Sequence, residues 1–309
     1  PVLHRRLPVH PVRALSRRLR AIRRLGPAGG RRAGVLIAGG LLLAACAGPG
    51  VQPVADRPGA LPTNAQLRNV PFVAQEKYYC GPASLAMTLA WSGRPVDQQE
   101  LAGQVYTPGK TGTLGTDLVT GARRQGRLAV RLPTGEAPAE RALRTLLAEV
   151  AAGHPVIVFQ NLGLGAAAQW HFAVVTGYDL PAGEIVLHSG TTADKRRPLD
   201  SFARTWARAE RWALAVLPPD SLPETADARA VVAAAHGLER AGRNAAAAQA
   251  YAAILARWPA TYAARIGRGN ALHALGRHDE AAAALRTATE RRPAAPEAWN
   301  NLAHVETAR

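Results

Sequence analysis

Gln75-Glu76-Lys77-Tyr78-Tyr79-Cys80-Gly81-Pro82-Ala83-Ser84-Leu85-Ala86-Met87 is the stretch that decides the fold. Pro82 sits where a first-turn proline belongs, because the N–H it lacks would have no partner there. Leu85, Leu89 and Trp91, with Ala86 and Ala90, supply an apolar helical face that runs to a stop at Ser92-Gly93. Cys80 is therefore expected at a helix N-terminus, where unpaired amides and the positive end of the helix dipole favour the thiolate, the reactive form of cysteine. Gln75, five residues upstream on the incoming loop, can place a side-chain amide near the sulfur, where an oxyanion needs a donor. The plainer alternative is a buried cysteine capping a core helix.

A nucleophilic thiol needs a base. The β-rich run Gln169-Trp170-His171-Phe172-Ala173-Val174-Val175-Thr176-Gly177-Tyr178 is followed, after a Pro-Ala-Gly turn, by Glu184-Ile185-Val186-Leu187-His188-Ser189, which reads as a hairpin with His171 near its opening. If Tyr178 lies opposite Glu184, Ala173 faces Ser189 and His171 faces Thr191, so these four side chains share a face.

The Gln-x4-Cys-Gly-Pro-Ala motif at a helix head, with a histidine opening a strand that ends in Gly177-Tyr178-Asp179, resembles cysteine peptidase family thirty-nine. These are the bacteriocin-processing, double-glycine-leader peptidases and their free-standing relatives, and the resemblance runs from about Val70 to Leu217. It implies a papain-like fold, with Cys80 as nucleophile, Gln75 supporting the oxyanion hole and His171 as base. The family's third member, an Asp or Asn, falls on Ser189. A hydroxyl accepts an imidazole N–H but cannot stabilise imidazolium as a carboxylate does. Three possibilities stay open: Ser189 as a weak orienter, Asp179 or Asp194 reaching in from a loop, or the Cys80 and His171 pair acting alone.

Between these motifs, Asp97-Gln98-Gln99-Glu100 resembles a capping box opening a short helix to about Tyr106, and a glycine-rich loop from Pro108 to Gly115 leads into a helix over 116–125. A helix over 141–152, a buried strand over 155–159 and a closing strand over 212–217 complete an expected two-layer α+β domain over 68–218.

The chain has only two cysteines, each in a motif that requires a free sulfur, so no disulfide framework is expected. The first lies in RRAGVLIAGGLLLAAC (31–46): paired arginines, a short apolar core and small residues before a cysteine. Leu43-Ala44-Ala45-Cys46 resembles the bacterial lipobox. This implies a signal peptide over 1–45, removed by cleavage, and a lipid on Cys46 as the first mature residue. An uncleaved apolar anchor is the alternative. Ala47 in the following position points to the outer membrane's periplasmic face. The first 30 residues exceed what a signal requires and read as an over-extended start. Residues 46–67, rich in Pro, Gly and Ala, read as a flexible tether.

The net charge of +16 invites a nucleic-acid partner, but residues 1–45 hold ten arginines and no acid. The remainder, 28 basic against 22 acidic residues, is an ordinary basic surface without an aromatic-flanked basic patch, so no nucleic-acid binding is expected. His154, His171 and His188 lack metal-ligand spacing, so neither metal nor cofactor is expected. No ATP-binding glycine loop occurs in the sequence.

After Pro218-Pro219 the chain turns periodic. Gly242-Arg243 recurs as Gly276-Arg277, Pro259 as Pro293, Ala247 as Ala281, and Tyr251 as Leu285, at a 34-residue spacing. This is the tetratricopeptide pattern, expected over 224–309 as an all-α region of two helical hairpins and a trailing helix from Ala298. Its groove is expected to hold a protein partner or to serve as a structural cap. The functional expectation is a membrane-anchored periplasmic cysteine peptidase acting on peptide or protein substrates. A cell-wall amidase of the same fold and a non-catalytic peptide-binding lipoprotein are the alternatives.

Overall fold

The computed structural model describes residues 61–164 and 167–309. The expected signal peptide, the lipidation site Cys46 and the first part of the tether lie outside the described residues. The tether's last residues do not: Asn64–Gln66 form β1, paired antiparallel with the far end of β6 (Trp170–Asp179). The folded domain thus reaches back past residue 68. Three mostly polar residues carry no strand signature of their own, and the ladder makes them a strand.

Seven strands form one antiparallel sheet in the order β4 (Leu128–Arg131), β9 (Ala213–Leu217), β5 (Val156–Asn161), β6, β7 (Glu184–Ser189), β8 (Thr192–Pro198), with β1 along the edge of β6 that β5 leaves at Val175. The central strands are apolar on both sides. Val156, Val158, Ala173, Val175, Ala213 and Ala215 pack under α4 (Ala139–Ala151) and α5 (Leu199–Ala207). Ile157, Phe172, Val174, Leu214 and Val216 pack under α1 (Cys80–Trp91), α2 (Gln98–Val105) and α3 (Gly115–Arg124). Strands apolar on both faces need cover on both faces. The domain therefore has helices above and below the sheet, where two layers were expected.

The expected hairpin forms with one shift. Asp179, rather than Tyr178, pairs with Glu184, and an unpaired Thr176 returns the ladder to the expected register, with Val175 opposite Leu187 and Val174 opposite His188. A bulge of this kind adds one residue to one strand. The return strand then ends at Ser189 and turns into β8 through Gly190, whose φ of 65° suits glycine, so Thr191 never comes to lie opposite His171. Strand β8 is mostly exposed and polar, as an edge strand is when it must not recruit a neighbour. That polarity hides β8 from sequence patterning, whereas α5 carried a helical signal that was overlooked, with Leu199, Phe202 and Trp206 on one face. The glycine-rich loop, too, contains a small hairpin, β2 (Tyr106–Thr107) with β3 (Gly112–Thr113).

The tail forms the five expected helices: α6 (Ala228–Arg240), α7 (Asn244–Arg257), α8 (Tyr262–Ala274), α9 (His278–Arg291) and α10 (Pro296–Thr307). Gly242 and Gly276 turn the chain at φ 71° and 72°, the left-handed conformation that placed glycine at this point of both repeats. Ala247, Ala281, Tyr251 and Leu285 are all buried, the two large ones against Gly267 and Gly269 of α8. The first repeat helix packs on the opposite edge of the sheet: Leu128 and Val130 of β4 share a core with Val231, Ala234 and Leu238 of α6.

Glu149 of α4 fastens the junction. Fully buried, it accepts from Thr225 N–H (2.7 Å), Thr225 Oγ1 (2.5 Å) and Glu224 N–H (3.1 Å), and lies 2.8 Å from His154 Nδ1. Burial pushes this carboxyl up, but His154 and the Thr225 donors outweigh it and hold it below the ordinary carboxylate range. Glu149→Ala leaves those donors unpaired and is expected to cost about 2–4 kcal/mol in denaturant unfolding. Because the folded carboxyl is the more acidic, its contribution is present above the ordinary carboxylate range. It is lost as pH falls through the folded value, so the stability gap between wild type and Glu149→Gln should narrow in acid.

Candidate active site

The approach to Cys80 is a tight turn. Tyr79 N–H donates to Glu76 O (3.0 Å), and Tyr78 takes a left-handed φ of 69°, an uncommon conformation for a non-glycine residue. Ala83 N–H then donates to Tyr79 O (2.9 Å) and the helix begins. Every residue of α1 from Gly81 to Leu89 is buried, so the helix has one seat in the domain. Gly81 lies against β3: a Cβ there would stand 2.6 Å from Thr113 Cβ, and only glycine lets the β2–β3 hairpin close on the start of the helix.

The backbone amides of Phe172, Gly81 and Cys80 itself point at the Cys80 sulfur. Two of them belong to the helix N-terminus, as expected; the third comes from β6, one residue after His171. Strand β7 pairs with β6 only from Val174 onward, so the opening of β6 has a ladder partner on the β5 side alone. Burial pushes the thiol up, and the three amides only partly offset it. The expected resting thiolate is corrected accordingly, because the buried position costs the anion more solvation than the helix tip returns.

His171 Nε2 lies 2.9 Å from Ser189 Oγ, so the residue in the family's Asp or Asn position does meet the imidazole. Burial, followed by the positive charge of Lys195, pushes His171 down to about 4. Among the described residues no hydrogen bond joins the ring to the thiol directly. The two aspartates held open as orienters are committed elsewhere. Asp179 Oδ1 accepts from Ala182 N–H in the hairpin turn (3.1 Å). Asp194 caps the other histidine of the hairpin: its N–H donates to His188 Nδ1 (3.2 Å), while His188 Nε2–H donates to Val70 O (3.1 Å).

Gln75 reaches the same place through its backbone, whose N–H donates to Gly190 O (3.0 Å), directly after Ser189. Its loop is held from behind by α2. Gln98 Nε2 donates to Ala74 O (3.1 Å), Gln98 Oε1 accepts from Glu76 N–H (3.4 Å), and Gln99 Nε2 donates to Glu76 Oε1 (2.6 Å). The expected capping box is half made: Asp97 accepts from Gln99 N–H (2.7 Å), whereas Glu100 accepts from Gln104 instead. Sequence reasoning saw the two glutamines only as helix-start residues and missed their grip on the Gln75 loop. It also missed the Phe172 amide and Lys195, which carry no signal before the strands are placed.

Three links tie together the segments that carry the four expected site residues: the Gln75 backbone to Gly190, His171 to Ser189, and the Phe172 amide to Cys80. Among the described residues no group of histidine, cysteine and acidic side chains is placed to hold a metal ion.

Residues 67–214 match the family model described as Peptidase_C39 like family, and residues 232–296 and 275–308 match a tetratricopeptide-repeat model. No curated protein matches the chain. Among solved structures, a C39-like peptidase from Bacillus anthracis is similar at 21% identity, covering 50% of this chain and 97% of that one, with a TM-score of 0.42. The peptidase domain of Streptococcus ComA, a bifunctional ABC transporter of a quorum-sensing pathway, is similar at 22% identity, covering 48% and 98%, with a TM-score of 0.38. A double-glycine-motif protease from an AMS/PCAT transporter, solved with its leader peptide, shares 19% identity over 50% and 92%, with a TM-score of 0.35. The chain therefore carries a C39-like peptidase domain, followed by a helical region of tetratricopeptide repeats.

Proposed function

We propose that this protein is a cysteine peptidase of the bacterial cell envelope, anchored by a lipid on Cys46: Cys80 is the nucleophile, His171 the base, Gln75 and the Cys80 amide the oxyanion donors, and Ser189 the orienter of His171. The observation that carries the reading is the Phe172 amide on the Cys80 sulfur, which sets the thiol one residue from His171 along β6.

 Burial favours the uncharged form of both groups, so the resting pair is a neutral thiol and a neutral imidazole, and the proton moves only as the substrate is attacked. Attachment to the outer membrane's periplasmic face, and a protein partner held by the repeats, belong to the same proposal.

His171 Nε2–H donates to Ser189 Oγ, which leaves Nδ1 free to take the thiol proton. As that proton moves to Nδ1, the sulfur bonds to the peptide carbonyl carbon and the oxyanion is met by Gln75 and the Cys80 amide. Collapse breaks the C–N bond, and the imidazolium returns its proton to the leaving amine. Water, deprotonated by the same ring, then hydrolyses the thioester and restores the thiol. Ser189 in place of a carboxylate lowers the stabilisation of the imidazolium. That observation favours a second reading, a non-catalytic peptide-binding lipoprotein. An amidase acting on cell-wall peptides would use the same chemistry, and offering peptidoglycan and a peptide library in parallel separates it from a peptidase.

Cys80→Ala should abolish turnover, His171→Ala should lower kcat/KM by about 10²–10⁴-fold, and Gln75→Ala by about 10²-fold. Turnover of neither substrate class by a wild-type protein that still binds peptide would favour the binding reading instead. Ser189→Asp should raise kcat/KM, because a carboxylate stabilises the imidazolium formed in the first step.

The pH dependence follows from the two shifts. His171 serves as a base only when deprotonated, so with its value near 4 the acid limb of kcat/KM should fall well below the ordinary imidazole range around 6.5. With the thiol pushed up, iodoacetamide labelling of Cys80, followed by mass spectrometry, should keep accelerating through pH 7–9. A labelling plateau reached by pH 5 would instead mean a resting ion pair.

A further inference from the structure

A recess of about 180 Å³ opens beside Ser189, between the end of β7, strand β8, the end of β5 and helix α5. Lys195 and Arg197 line it from β8, where they pair with Leu187 and Ile185 and so share the face that α5 covers. Among the described residues neither cation makes an ion pair, although Arg196 between them pairs with Glu184 on the other face (2.9 Å). Phe202 gives the recess an apolar wall, and at its floor Gln160 Nε2 donates to Thr205 Oγ1 (2.6 Å). Two cations without partners above an apolar wall suit a short side chain that ends in a carboxylate.

We infer that this recess is a substrate subsite for an acidic side chain, Asp or Glu, on the leaving-group side of the scissile bond. The inference rests on the peptidase reading proposed above and adds the substrate class. The side follows from the chemistry: His171 must protonate the leaving amine, so the leaving segment lies beside the ring, and the recess begins at the ring's partner Ser189.

A carboxylate bound there does a second task. Lys195 is the charge that, after burial, depresses the basicity of His171. An anion on Lys195 cancels that effect and sets negative charge near Ser189, the position that the family resemblance assigns to an Asp or Asn. The substrate would thereby supply part of what Ser189 lacks.

The test uses the full chain and a library of peptides amidated at the C-terminus, so that only side chains carry carboxylates. New N-termini are read by mass spectrometry. Asp and Glu should be enriched at least fivefold over Asn and Gln in the first two residues after the cut, and the enrichment should collapse toward one in Lys195→Ala/Arg197→Ala. Cleavage without acidic enrichment, or enrichment that survives in the double variant, overturns the inference and leaves the peptidase reading standing. Absence of any cleavage sinks the peptidase reading, and the subsite is then judged by binding. In Cys80→Ala protein, a Glu-containing peptide should move the NMR titration midpoint of the His171 ring upward relative to its Gln twin, and equal midpoints overturn the subsite.

Discussion

Helix α1 is buried at every position from Gly81 to Leu89, and this packing is the constraint from which the site follows. A helix enclosed on all sides can neither roll nor slide without opening its core, so the residue at its tip is delivered to one point. That point is the opening of β6, where β7 has not yet begun to pair and the Phe172 amide is directed at the Cys80 sulfur. The Tyr78 turn and the close approach of Thr113 to Gly81 serve the same end, bringing the chain into the helix at a fixed angle. The glutamines of α2 hold the Gln75 loop from behind.

The enclosure sets the electrostatics as well as the geometry. Withdrawing the sulfur and the imidazole from water raises one and lowers the other, so burial favours the uncharged form of both. A carboxylate beside the ring would oppose that trend, and a serine hydroxyl does so weakly. Lys195 adds to it instead. Burial and Lys195 point the same way and Ser189 opposes them only weakly, which leaves a site whose charge separation has to be supported at the moment of reaction.

The repeats are built into the domain and do not simply trail behind it. Helix α6 shares a core with Leu128 and Val130 of β4, the edge strand of the sheet. Glu149 fastens the intervening segment by accepting from both Glu224 and Thr225. The opposite edge, β8, is mostly exposed, polar and charged.

What was legible in the sequence was local. The helix behind Cys80, the hairpin that bears His171 and the 34-residue repeat each depend on spacing along a few turns or one strand pair, where periodicity is a direct physical signal. The contact of Ser189 with His171 followed from strand pairing, and it survived an error at the turn because the bulge at Thr176 restored the register. Strands β1, β4 and β8 were not legible: short or polar segments become elements through neighbours that no local pattern names. Tertiary structure also decided the ionisation of Cys80 and His171. The sequence placed the sulfur at a helix tip, which favours the anion, but burial depends on everything packed around that tip, and desolvation outweighs a helix end.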